Sequence, residues 1–167
     1  MVDKGDPHDV FIVDFEAQFS RAEALIKQMM QWEVDITLLS EPCVAWEHSV
    51  PREVLKKLTR RYAERGCWTI ATSKVKTGSY CKPGGAGVFS TCNWGSKISD
   101  SGVDPHGYSR WSFQAYWGRY DKKLLVVSAY RALFSLALRG DTTTWRQQQV
   151  LIEADGRQGG PPRCVYS

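Results

Sequence analysis

The strongest candidate for chemistry in this sequence is Glu41, a carboxylate that directly follows a short apolar segment at residues 36–40. This segment is typical of a buried strand, and open α/β folds bind ligands beyond the carboxyl ends of their strands. One carboxylate, with waters and a substrate phosphate at the other positions, commonly holds Mg²⁺. The alternative is that Glu41 is a surface residue or pairs with a nearby Lys or Arg.

A second carboxylate, Asp14, interrupts the apolar residues 10–15. Burying a carboxylate is unfavourable unless a partner or a metal compensates its charge. Side by side, strands at residues 10–15 and 36–40 would bring Asp14 and Glu41 to the same sheet edge, which makes Asp14 a catalytic candidate. The alternative is that Asp14 ends its strand and faces water.

Three further residues are candidates for phosphate binding. Tyr130 and Arg131 close the most apolar segment, residues 124–129, where a hydroxyl and a guanidinium can hydrogen-bond a phosphate. Arg110 offers another guanidinium at the start of a strand. Packing of Tyr130 in the core is the alternative.

A weaker phosphate-binding candidate is Lys82, which opens the Gly-rich segment 82–87. This segment lacks the spacing of a P-loop and no helix follows it, so a turn between strands explains it equally well. The three histidines are isolated, and no Ser-His-Asp or Cys-His arrangement is evident.

The elements that must position these residues begin with a predicted strand, helix and strand, whose right-handed crossover predicts a parallel β-α-β unit. Short links between the later strands favour antiparallel pairing. The predicted helices cover residues 21–34, opened by a capping box at 20–23, then 51–65, and a last helix from 141–144 through 151. The predicted strands are 10–15, 36–40, 67–72, 86–91, 111–117 and 124–129.

Length and composition indicate one domain with a substantial core, since the chain has 167 residues, of which 43% are hydrophobic and 24% charged. We expect a polar tail at residues 1–9, a domain at 10–155 and an irregular Gly/Pro-rich tail at 156–167. The net charge of +4 is uneven, because residues 1–53 carry −7 and residues 54–167 carry +11. Such asymmetry suits a polyanion bound beside a cation-binding carboxylate, although solvated helix faces explain part of it.

Membrane anchoring and secretion are not expected. The most apolar stretch is shorter than the roughly 20 residues that a membrane span needs, and residues 1–9 are polar rather than basic and apolar. The five cysteines lack the spacing of a zinc or redox motif. Reduced, mostly buried thiols in an intracellular protein are therefore predicted, with nucleus and cytoplasm not distinguished.

Five segments in order resemble the endonuclease/exonuclease/phosphatase superfamily of DNase I and the apurinic endonucleases, in the version found beside reverse transcriptases. Residues 34–42 (VDITLLSEP) are similar to the family's metal-ligand strand. The other segments are 79–87 (SYCKPGGAG), 109–112 (SRWS), 124–131 (LLVVSAYR) and 142–148 (TTTWRQQ). The resemblance covers residues 10–150.

The resemblance implies an α/β (α+β) fold of the DNase I-like kind, a β-sandwich flanked by helices, with its first sheet and part of its second. It implies Glu41 as the ligand of Mg²⁺, or of Mn²⁺ in its place. It further implies that Tyr130 is a catalytic residue that contacts the scissile phosphate and that Arg110 lies on the phosphate side. The family's first strand usually ends in asparagine, and Asp14 is the nearest residue here. Ser40 stands where the family has glutamine.

The family's Asp-x-Asn motif, later Asp and terminal Asp-His pair have no match after Leu151, so the sandwich is expected to be incomplete. The implied function is metal-dependent hydrolysis of phosphodiester bonds in DNA, weak or absent in this chain alone. Partners would be a DNA or RNA backbone and a separately encoded C-terminal half or reverse transcriptase. The alternatives are a non-catalytic nucleic-acid binder, and a phosphoesterase acting on lipid or small phosphates.

Overall fold

The computed structural model describes residues 7–76, 82, 84–130 and 144–156, with the side chains of 7–18 and 92 left out of the description. Within these ranges the chain forms four helices and two small antiparallel sheets. The elements in chain order are α1 (Pro7–Gln31), β1 (Ile36–Ser40), α2 (Ser49–Tyr62), β2 (Cys67–Ala71), β3 (Ala86–Ser90), α3 (Cys92–Gly95), β4 (Ile98–Val103), β5 (Trp111–Trp117), β6 (Lys123–Ala129) and α4 (Thr144–Ala154).

The first predicted strand is wrong, because residues 10–15 belong to helix α1, which also runs through the predicted capping box. A short apolar run does not distinguish a strand from a helix by its pattern alone. Here the run is continuous with the helical pattern that follows, and together they make a helix of 25 residues. The predicted parallel β-α-β unit is therefore wrong as well.

The first sheet has the strand order β1-β3-β2, with both outer strands antiparallel to β3. Its register pairs Ser40 with Ala86 and Ala71 with Ala86. The end of β1, the start of β3 and the end of β2 therefore lie together at one end of the sheet. Glu41 is the first residue beyond this end.

Helices α1 and α2 cover one face of the first sheet. Ile26 and Met29 of α1 form a buried cluster with Ala63 and with Phe89 of β3. Trp68 of β2 stacks on Phe89, with ring centroids 3.8 Å apart. Successive side chains of a strand point to opposite faces, so Val88, next to Phe89, faces away from the helices.

The second sheet, with the order β4-β5-β6, packs against that other face. Gln114 of β5 is fully buried between the sheets, and its Nε2 donates to Thr69 Oγ1 (2.9 Å), to the carbonyl of Cys67 (3.3 Å) and to that of Val88 (3.4 Å). Ser128 of β6 donates from Oγ to the carbonyl of Leu39 in β1 at 3.0 Å. The described residues thus form three layers, with helices outside one sheet and the second sheet on its other side.

The outward face of the second sheet is apolar. Trp117, Leu125 and Val127 are 51%, 60% and 47% exposed within the described part of the chain. A shallow depression of about 650 Å³ runs across this face. The inward face carries polar side chains such as Gln114, so the usual distribution of polarity between the two faces of an antiparallel sheet is reversed here.

Among the described residues, no helix combines the length and the apolarity that crossing a membrane requires.

Candidate functional site

Glu41 projects from the end of β1 on an unusual backbone. Its φ is 52°, in the left-handed region that non-glycine residues occupy rarely. The Glu41 amide donates to the carbonyl of Gly85 at 3.1 Å, which anchors the residue to the start of β3. Its side chain is exposed. A fixed backbone therefore presents a solvent-accessible carboxylate at the sheet end.

Tyr130 lies beside Glu41, although 89 residues separate them in sequence. The Tyr130 hydroxyl donates a hydrogen bond to Glu41 Oε1. Tyr130 directly follows β6, two residues after the Ser128 side chain that bonds the end of β1. The contact between the sheets thus places the tyrosine against the carboxylate.

The pKa of Tyr130 is raised to about 12, first by burial and then by the hydrogen bond to Glu41 and the charge of that carboxylate. A hydrogen bond with Thr144, at the start of α4, acts in the opposite direction. Since an ordinary tyrosine has a pKa near 10, Tyr130 stays protonated through the physiological range. Its hydroxyl is therefore a hydrogen-bond donor and not a base.

Arg110 occupies the position opposite Tyr130, because its carbonyl accepts a hydrogen bond from the Tyr130 amide at 2.6 Å. This pair extends the β5–β6 ladder one step beyond Trp111 and Ala129. The Arg110 guanidinium lies over the ring of Tyr108, 4.5 Å from its centroid. Glu41, Tyr130 and Arg110 therefore come from three strand ends to one end of the sandwich.

The support beneath Arg110 comes from α4. The Tyr108 hydroxyl donates to Asp155 Oδ2 at 2.6 Å, and Gln148 Nε2 donates to the Tyr108 carbonyl at 2.9 Å. The Arg110 amide donates to Asp104 Oδ2 at 3.3 Å. The first two bonds hold Tyr108, on whose ring the guanidinium rests, and the third fixes the backbone of Arg110 itself.

The other predicted site residues have different positions. Asp14 lies in helix α1 and not in a strand beside β1. The predicted approach of Asp14 to Glu41 at a shared sheet edge is therefore wrong. The side chain of Asp14 is outside the described part of the structure. Lys82 is 1% exposed, pairs with Glu47 and donates from Nζ to the carbonyl of Ser73 at 2.8 Å. Arg131 lies outside the described residues.

A divalent cation at this site would have Glu41 as its carboxylate ligand. With Oε1 accepting the bond from Tyr130, the carboxylate keeps Oε2 for a further partner. Mg²⁺ is often held by one or two carboxylates, with waters and phosphate oxygens completing its octahedron. The single carboxylate of Glu41 fits such a site. Within the described ranges there is no group of three or more His, Cys, Asp and Glu suited to a metal.

Two contributors were missed at the sequence level. Thr144 belongs to the segment 142–148 that supported the family resemblance, but nothing in the pattern placed its hydroxyl near Tyr130. Tyr108 carried no usable signal, because Ser109 has a φ of 60° and interrupts the extended backbone in which residues two apart share a face. The contact between the Arg110 guanidinium and the Tyr108 ring therefore depends on a left-handed residue that the spacing does not predict.

Comparisons with protein-family models, curated proteins and solved structures find no match to this chain.

Proposed function

We propose that this chain is a metal-dependent phosphodiester hydrolase domain acting on nucleic acid, with the DNase I-like architecture that the sequence resemblance implies. The proposal rests on one observation above all, the hydrogen bond between Tyr130 and Glu41. The resemblance assigned these residues to phosphate contact and metal binding, and they are neighbours although far apart in sequence. Two three-stranded sheets packed face to face with helices outside one of them are compatible with a partial sandwich of that kind.

Each residue has a separate role in the proposed reaction. Glu41 would hold Mg²⁺, or Mn²⁺, which when bound supplies a Lewis acid for the phosphate. When substrate binds, Tyr130 would turn its hydroxyl from Glu41 to a phosphate oxygen, because the hydroxyl has a single proton to donate. Arg110 binds a neighbouring phosphate oxygen through its planar guanidinium. The carboxylate orients the tyrosine before the substrate arrives.

Activity of this chain alone is expected to be weak. The site has one carboxylate from the described residues, and in-line attack also needs a group that activates water. The family motifs that supply such groups have no match after Leu151. A C-terminal half that carries those motifs would complete the site, and a reverse transcriptase would be a further partner.

A plasmid-nicking assay with Mg²⁺ tests the function. Wild-type protein is expected to nick slowly, and Glu41→Gln to reduce the rate about 100-fold or more, because it removes the charge that holds the cation while keeping the side-chain volume. The matched control is Glu53→Gln, which removes an exposed carboxylate from α2. Equal nicking by wild type and Glu41→Gln would contradict the proposal.

A non-catalytic nucleic-acid binder is the second candidate, favoured by the +11 charge of residues 54–167. In that case neither wild type nor Glu41→Gln nicks, while both bind DNA with an affinity that falls steeply with salt. Hydrolysis of lipid or small phosphate esters instead of DNA would identify a phosphoesterase of the same fold.

A further inference from the structure

A basic cleft of about 710 Å³ opens at the same end of the sandwich as Glu41, on the side of β2 and β4. It lies between the start of α2, the segment after β2 and the turn that joins β4 to β5. We propose that this cleft binds backbone phosphates of a nucleic-acid strand whose reacting phosphate lies at Tyr130. The inference rests on the proposed function for the position of that strand.

The charge of the cleft is the first argument. Four basic side chains line it against two acidic ones. The acidic Glu47 is paired with the buried Lys82. The acidic Asp104 is 5% exposed, and its carboxylate accepts the amides of His106 and Arg110.

The remaining basic residues, Arg52, Lys74 and Lys76, are exposed along the cleft. Glu47 neutralises Lys82, whereas the neutral amides that bond Asp104 leave its charge in place. The four basic and two acidic side chains therefore give the cleft a formal charge of +2. Phosphate is the ligand that such a group of cations recognises. Because Lys82 is paired with Glu47, it adds little net charge to the cleft. Phosphate binding is therefore assigned to the exposed Arg52, Lys74 and Lys76.

The walls of the cleft are joined to one another. Lys74 donates from its amide to the carbonyl of Gly107 at 3.1 Å and from Nζ to that of Pro105 at 2.7 Å. Ser73 and Tyr108 form a β-bridge. Gly107 has a φ of 75°, and a Cβ there would lie 2.2 Å from the Lys74 chain. The segment after β2 is thus fixed against the β4–β5 turn, and the cleft is preformed.

The distance from the cleft to Tyr130 is short enough for one nucleic-acid strand to contact both. Tyr130 follows β6 and Asp104 follows β4, with β5 between them. At about 4.8 Å per strand the separation is about 10 Å. The axial rise of about 3.4 Å per nucleotide in B-form DNA is a lower bound on the spacing of phosphates in one strand, so the cleft lies at most about three nucleotides from the reacting phosphate. Trp46 also lines the cleft and offers a ring for a base to stack on.

The test is binding of a fluorescently labelled single-stranded DNA decamer, measured by anisotropy over a series of salt concentrations. Arg52→Gln/Lys76→Gln is expected to weaken binding about tenfold or more and to lower the salt slope by about 1.4, since each lost phosphate contact removes about 0.7. Lys57→Gln/Arg60→Gln removes the same charges from exposed positions of α2 outside the cleft. This control is expected to retain the wild-type slope.

Three outcomes overturn the inference. The first is equal weakening by both double variants, which would assign binding to the general surface charge. The second is wild-type affinity in Arg52→Gln/Lys76→Gln. The third is displacement of the decamer by dAMP at concentrations comparable to those of an unlabelled decamer, which would identify the ligand as a free nucleotide.

Failure of the inference is distinguishable from failure of the proposed function. Nicking that depends on Glu41, together with binding unaffected at Arg52 and Lys76, would leave the function standing and reject the cleft. Binding that depends on Arg52 and Lys76 without any nicking would keep the cleft and reject the hydrolase.

Discussion

At the scale of single residues, Tyr130 links the site to pH. Its pKa of about 12 in the folded protein exceeds the value near 10 expected in the unfolded chain. Between pH 10 and 12 the unfolded chain loses this proton while the folded protein keeps it, so the free energy of unfolding falls as pH rises through that window. Below pH 10 the contribution is fully present.

We therefore predict that wild type loses about 1 kcal/mol more stability than Tyr130→Phe between pH 9 and 11.5, with the partial exposure of the ring already discounted. Urea denaturation of both proteins at each pH measures the difference. Other tyrosines and lysines titrate equally in both proteins and cancel. Parallel stability curves for the two proteins would contradict the prediction.

Lys82 gives a second prediction, because the sequence suggested a phosphate contact and the structure pairs its buried ammonium with the exposed Glu47. Lys82→Met is expected to lower the free energy of unfolding by about 2 kcal/mol, since it leaves Glu47 and the Ser73 carbonyl without their partner. Adding Glu47→Gln should recover part of the loss. Urea unfolding measures both variants.

The control for this pair is Lys56→Met, which removes an exposed lysine paired with Glu53 and should leave stability nearly unchanged. A Lys82→Met protein with wild-type stability and weakened DNA binding would instead assign Lys82 to the nucleic acid.

The sequence predicted the position of Glu41 at a sheet end but not its contact with Tyr130. Glu41 could be selected because a carboxylate after an apolar strand has a predictable place at a sheet end. Its contact with Tyr130 depends on how two sheets pack, which no local pattern encodes. Asp14 was misplaced because its strand does not exist.

At the scale of elements, Gln114 joins the two sheets. Gln114→Leu keeps the volume but removes the bonds to Thr69 and Cys67 and leaves the Tyr116 hydroxyl without its acceptor. We expect a loss of about 2 kcal/mol in the free energy of unfolding, because buried polar groups lose their partners. Chemical denaturation measures it, with the partly exposed Gln149→Leu as a control expected to change little.

Elements with strong local signals were predicted well. Helix α2 and strands β5 and β6 were each foreseen within a few residues, and β5 has the predicted limits. Strand β4 (ISDSGV) was missed, because four of its six residues are small or polar and its stability comes from pairing with β5. Strand propensity depends on such neighbours.

At the scale of the whole molecule, the position of a residue in the three layers determines how much a substitution lowers the free energy of unfolding. Val88, fully buried between the sheets, and Val127, 47% exposed on the outward face, both belong to strands. Val88→Thr is expected to cost about 2 kcal/mol because it buries a hydroxyl, and Val127→Thr less than about 0.5 kcal/mol. Urea unfolding compares them, and equal losses would show that the outward face is covered in solution.

The left-handed backbone at Glu41 has a consequence for the history of such a chain. Glycine would relax that residue by about 1 kcal/mol, since it lacks the Cβ that makes the conformation unfavourable. If the carboxylate of Glu41 had no function, the single substitution Glu41→Gly would therefore make the protein more stable. Retaining glutamate gives up this stability. Retention of Glu41 in related chains would therefore indicate that its carboxylate has a function.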